Sequence, residues 1–122
     1  MNPSGLIWAG LQVANLEDQV AYYRDVLGLR LIRKSERWAV FDAGNGDLFE
    51  LSSGGQQSPV PKTGEQQSLV VGFLVNNLPQ VVQSLLGDGV TFISELESYK
   101  KSQWIKFVDP EGNILELKEV LS

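Results

Sequence analysis

The chain contains no cysteine and no histidine among its 122 residues, and a single methionine. Without cysteine there is no disulfide, no thiolate nucleophile and no sulfur ligand for a metal, which fits a reducing compartment and makes the cytoplasm the expected location. Without histidine there is no imidazole for a serine or cysteine triad, and the commonest nitrogen donor to a divalent metal is missing. Long apolar runs are absent too. Nowhere do about eighteen apolar residues follow one another, so no membrane span is expected. The opening Met1-Asn2-Pro3-Ser4-Gly5 has no basic stretch followed by an apolar one, so no export signal is expected. Basic side chains are in deficit, 10 against 15 acidic, and the resulting charge of −5 repels a phosphate backbone, which excludes nucleic acid as an expected partner. Neither a Gly-x-x-x-x-Gly-Lys loop nor a Gly-x-Gly-x-x-Gly turn occurs.

What is present is a repeat. Gly46-Asp-Leu-Phe-Glu-Leu-Ser52 returns as Gly112-Asn-Ile-Leu-Glu-Leu-Lys118, which places Glu50 and Glu116 at equivalent positions. Trp38-Ala-Val-Phe41 returns as Trp104-Ile-Lys-Phe107, and Val13-Ala-Asn15-Leu16 as Val75-Asn-Asn77-Leu78. Each half reads in the same order. Leu6–Val13 and Ser68–Val75 are apolar without a helical period and predict strands. Asn15 and Asn77 stand where helix caps belong, with Asp18 completing a capping-box pattern after the first and Pro79 tolerated in the first turn after the second. The apolar steps Val20, Tyr23, Val26, Leu27 and Leu78, Val81, Val82, Leu85, Leu86 predict helices that stop at Gly28 and at Gly87-Asp88-Gly89. Of the adjacent Tyr22 and Tyr23, which point about 100° apart on a helix, one is expected in the core and the other at the surface.

Strands are then predicted over Leu29–Arg33, Trp38–Asp42 and Leu48–Ser52, and over Val90–Ser94, Gln103–Val108 and Ile114–Glu119. Asn45-Gly46 is a hairpin-turn signal, and Asp109–Asn113 forms the last turn. Ser53–Gln67, rich in Gly, Pro and polar residues, reads as the connection between halves. The expectation is one α+β domain over 1–122, with repeat 1 at about 5–53, a linker at about 54–66 and repeat 2 at about 67–120.

This order, with Val13-Ala-Asn-Leu-Glu-Asp-Gln-Val-Ala-Tyr-Tyr-Arg-Asp-Val-Leu-Gly-Leu29 and Asp109-Pro-Glu-Gly-Asn-Ile-Leu-Glu116 as its most specific pieces, resembles the vicinal oxygen chelate superfamily of glyoxalases, extradiol dioxygenases and fosfomycin- or bleomycin-resistance proteins. The resemblance implies two βαβββ units forming a curved mixed sheet around a cavity, with helices outside, and commonly a homodimer. It also implies four inward metal-ligand positions. Carried over residue by residue, these fall on Trp8, Glu50, Val70 and Glu116. Trp8 offers only an N–H and Val70 offers no lone pair, so no metal and no other cofactor is expected.

Two readings of the glutamates stand side by side. Directed into one cavity, they would hold a cationic ligand or move a proton; paired with Arg33, Lys106 or Lys118, they would only stabilise strand ends. Trp8, Trp38 and Trp104 would suit a planar or cationic guest, although strand parity does not say which face Trp38 and Trp104 use. The expected function is capture of a small planar or cationic molecule without turnover, as in antibiotic resistance by sequestration, with ligand contacts at Trp8, Trp38, Glu50, Val70, Trp104 and Glu116 and no catalytic residue. The alternative is a lyase or oxidoreductase with a divergent metal site or carboxylate acid–base chemistry.

Overall fold

The computed structural model describes residues 1–122, and it divides into two compact units, Met1–Gln57 and Ser58–Ser122. Each unit is a βαβββ arrangement of mixed strand direction, as the repeat predicts, and neither sheet closes on itself. No helix is long and apolar enough to cross a membrane.

In the first unit the order is β1 (Trp8–Val13), α1 (Leu16–Ala21), β2 (Arg30–Lys34), β3 (Trp38–Gly44) and β4 (Asp47–Ser53). The sheet runs β1-β4-β3-β2, with β1 parallel to β4 and the remaining pairs antiparallel. Asn15 caps α1 as its spacing predicts, its side chain accepting from the Asp18 N–H at 3.0 Å. The helix then widens into a π turn over Tyr22–Val26, with the Leu27 N–H reaching the Tyr22 carbonyl at 3.0 Å, and Gly28 ends it at φ +80°. At the β3–β4 hairpin Asn45 and Gly46 take φ values of 58° and 82°, the left-handed pair that a two-residue turn requires.

Alternation decides what is buried. Phe49 and Leu51 of β4, with Ala39 and Phe41 of β3, turn toward α1 and are sealed with Val13, Leu16, Val20 and Tyr23. Tyr23 is the core member of the tyrosine pair and lies 5.2 Å from Phe49 and 6.3 Å from Phe41, while half-buried Tyr22 stands edge-on to it. Lys34 ties β2 to the helix through Glu17 at 2.6 Å, and Arg30 pairs with Asp42 on the neighbouring strand at 2.8 Å. Both pairs are partly solvated and add little individually.

The second unit repeats the plan with β5 (Val71–Leu74), α2 (Leu78–Gly87), β6 (Thr91–Phe92), β7 (Glu97–Tyr99), β8 (Ser102–Val108) and β9 (Ile114–Val120). The order β5-β9-β8-β6 matches the first sheet, with β7 as a further short partner of β8. Where one strand over Val90–Ser94 is expected, the structure has the two-residue β6 and, after a break, β7, an exposed segment whose sequence carries no apolar alternation. Leu78, Leu85, Val90, Ile105, Phe107, Leu115 and Leu117 form this unit's own core.

The second helix is not capped as the sequence suggests. Asn77 occupies the cap position at φ 57°, but its side chain donates to Gln80 instead of accepting from the helix. The carboxylate of Glu119 on β9 takes over, accepting from the Asn77 N–H at 2.7 Å and the Leu78 N–H at 2.9 Å. These bonds, with a third from Gln103, hold the Glu119 carboxyl below the ordinary glutamate range. A lowered folded-state pKa means the stabilisation is complete above the unfolded value and is lost as the pH falls through the folded one. Glu119→Ala should therefore lower the melting temperature by about 5 °C near neutral pH. Its deficit should shrink as the pH is taken from about 5 downward. A deficit independent of pH in thermal melts would contradict this account.

Candidate functional site

Strand register settles which side chains share the face away from each helix. In the first sheet Gly10 pairs with Glu50, Val40 pairs with Glu50 and Trp38 pairs with Ser52, so Trp8, Gly10, Trp38 and Glu50 all project from the open face opposite α1. In the second, Gly72 and Lys106 both pair with Glu116, and Trp104 pairs with Lys118 and Glu97, so Gly72, Glu97, Trp104, Lys106, Glu116 and Lys118 share the corresponding face. The Gly10–Glu50 pair of one unit is thus the Gly72–Glu116 pair of the other. By sequence spacing Val70, two residues before Gly72, corresponds to Trp8, two before Gly10, although β5 begins only at Val71.

The two faces differ in what surrounds the glutamate. Trp8 is 54% exposed and folds back along its own strand, so that a Cβ on Gly10 would lie 2.3 Å from the indole Cη2 and 2.6 Å from Cζ2. The absent side chain at Gly10 is what lets the ring lie against the sheet. From there the indole Nε1–H donates to Glu50 Oε1 in a long, weak bond of 3.4 Å. In the second unit Val70 has no such reach, and a Cβ on Gly72 would meet the Glu116 Cβ and carbonyl oxygen at an ordinary 3.8 and 3.9 Å.

The ion-pair reading of the two glutamates does not hold. Neither Glu50 nor Glu116 is within salt-bridge distance of a basic side chain, whereas Arg24–Asp25, Arg30–Asp42 and Lys34–Glu17 are paired. Lys118 instead places its ammonium 5.6 Å from the centre of the Trp104 ring, whose Nε1–H donates to Glu97 at 3.1 Å. Trp104 therefore already has a cation over its face and a carboxylate on its nitrogen, whereas Trp8 has only the carboxylate. Gly10, Gly72 and Glu97 escape sequence reasoning, and Lys118 enters it only as a partner for a glutamate. The signal for the glycines was a Gly inside a strand-like run, which marks close approach of another group.

The donor chemistry does not suit a divalent transition metal. Trp8 presents an N–H that is already committed to Glu50, Val70 presents carbon, and no three His, Cys, Asp or Glu side chains gather anywhere in a way that could hold an ion. What the first face can offer is an aromatic plane beside a carboxylate, a combination that attracts flat cations.

Comparison with solved structures places the fold. The chain superposes on a glyoxalase family protein from Bacillus anthracis with a TM-score of 0.78 at 18% identity, covering 98% of each chain. It superposes on lactoylglutathione lyase from Agrobacterium tumefaciens with a TM-score of 0.72 at 19% identity, covering 97% of this chain and 95% of that one. A fosfomycin resistance protein from Listeria monocytogenes gives 0.70 at 17% identity, with 97% and 94% covered. Among curated proteins none matches. The family model for the glyoxalase/bleomycin resistance protein/dioxygenase superfamily matches residues 5–117, a span that takes in both βαβββ units, and the chain belongs to that superfamily.

Proposed function

We propose that this chain is a small-molecule-binding protein that captures a planar, cationic guest by stoichiometric sequestration, without a metal and without turnover. The observation that carries the reading is the exposed Trp8 indole lying over Gly10 with its N–H on Glu50, which sets an aromatic face and a carboxylate side by side. Trp38 stands on the same face, opposite Ser52, and the reading assigns it as a further ligand contact. In the second unit the same reading assigns Val70, Trp104 and Glu116 as ligand contacts. A cation on an aromatic ring gains about 0.5 to 2 kcal/mol, more as water is excluded, and an adjacent carboxylate adds charge recognition. The acidic balance of the chain favours cationic guests at longer range.

The reading further has the protein working in the cytoplasm as a homodimer and, by holding a toxic guest, conferring resistance to it. Exposed Leu69, Leu74 and Val120 supply apolar surface for a second copy.

Titration of a panel of planar cations, followed by quenching of tryptophan fluorescence, tests the proposal. Trp8→Ala should weaken binding about 10-fold, and Glu50→Gln should weaken cationic compounds by a comparable factor while sparing neutral analogues. If no planar cation quenches the parent protein, or if Trp8→Ala binds as the parent does, capture at this face is wrong.

A further inference from the structure

Trp8 plays two parts that pull against each other. Its ring is the aromatic surface of the proposed site, yet in the structure its N–H is hydrogen-bonded to the carboxylate that would meet the cation. We propose that Trp8 is a hinged lid on Glu50, seated by the missing side chain of Gly10, and that a cationic ligand must displace the indole from the carboxylate before it binds fully. This regulation rests on the capture reading and deepens it by making Gly10 a specificity-determining position.

Several observations converge. The ring and Gly10 are so close that a single methyl group at residue 10 would overlap Cη2 and Cζ2 of the indole. Those atoms are the far end of a side chain that is 54% exposed, so the indole has somewhere to go and the backbone need not move. Gly10 does not occupy a left-handed conformation, so alanine there carries no backbone strain of its own. The bond being released is long and solvent-exposed, which suits a contact that is made and broken. The second unit supplies the contrast, since Glu116 lies beside Gly72, where a Cβ would meet only Glu116 atoms and no aromatic ring.

The experiment uses Gly10→Ala, which dislodges the indole while leaving both Trp8 and Glu50 intact. The probe is N-methylacridinium, with neutral acridine at mildly alkaline pH as its uncharged counterpart. Gly10→Ala should bind the cation about 3-fold more tightly than the parent, because one net hydrogen bond no longer has to be broken, and should leave acridine unchanged. A second measurement needs no ligand: the Trp8 indole N–H proton resonance should move on Glu50→Gln in the parent background and stay still on the same change made in Gly10→Ala. Equal or weaker cation binding by Gly10→Ala overturns the lid, as does an indole resonance indifferent to Glu50→Gln in the parent. Failure of parent and variants alike to bind N-methylacridinium defeats the capture reading itself, and the lid with it.

Discussion

Gly112→Ala is expected to cost about 3 kcal/mol of folding stability, enough to lower the melting temperature by roughly 10 °C in a chain of this length. Gly112 sits at φ +82°, and a Cβ there would lie 2.5 Å from the Val60 carbonyl oxygen and 2.9 Å from that of Ser58. Both neighbours are backbone atoms, and both strands of the contact are stapled. Ser58 N–H donates to the Glu111 carbonyl at 2.8 Å, Lys62 N–H donates to the Gly112 carbonyl at 2.9 Å, and Lys62 Nζ donates to Asn113 Oδ1 at 2.7 Å.

The turn itself cannot yield either. Buried Asp109 accepts from the backbone N–H groups of Glu111 and Asn113 at 2.9 and 3.0 Å and from the Asn113 side chain at 2.9 Å. Relief would have to come from breaking bonds whose buried groups then lack partners. Gly46 provides the control. It has the same φ of +82° but nothing within 4 Å of its Cβ position, so Gly46→Ala should cost only the left-handed conformation, about 1 kcal/mol. Urea unfolding of the two variants separates backbone strain from close approach. Equal losses would mean that the approach of residues 58–60 to the turn is not what selects glycine at 112.

That contrast shows what the sequence can and cannot tell. Asn15 was legible as a cap because its acceptor and its donor, Asp18 N–H, are local. Asn77 has the same local pattern and fails, because the acceptor that serves α2 is a carboxylate on β9, 42 residues away from Asn77, and no local pattern encodes it. The hairpin at Asn45-Gly46, the helix stop at Gly28 and the turn at Asp109–Asn113 were legible for the same reason as Asn15, since each is a property of a few neighbouring residues. β7 was not, because Glu97-Ser98-Tyr99 is exposed throughout and owes its strand form to pairing with β8.

The candidate site divides in the same way. The repeat located Glu50 and Glu116, and register now gives each a glycine partner on the parallel strand. The faces of Trp38 and Trp104 needed that register, because alternation fixes only relative direction along one strand. The position of the Trp8 ring depended on a shape, an absent methyl group two residues along the strand, which composition and periodicity do not report.

Adjacent residues of β4 provide the sharpest test of this arrangement, because Phe49 and Glu50 must point to opposite faces. Phe49→Ala should destabilise the protein by about 4 kcal/mol, the combined loss of transferred area and of a cavity that its neighbours cannot fill. Phe49 is 1% exposed and forms a three-ring cluster with Tyr23 and Phe41, its ring centre 5.2 Å from one and 6.5 Å from the other. Tyr23 comes from the helical segment and Phe41 from β3, so the truncation loosens the packing of α1 on the sheet and of β4 on β3 together. Phe49→Leu keeps most of the volume and should cost about 1.5 kcal/mol. Glu50→Gln, one residue along, removes only a charge from the open face and should stay within about 0.5 kcal/mol of the parent. Chemical denaturation of the three variants reads all three values on one scale. A one-residue slip of β4 against β3 would exchange the faces, making the change at 49 mild and the change at 50 severe. Binding would then have to be sought on another surface, because Glu50 reaches the Trp8 indole only while Phe49 holds β4 in this register.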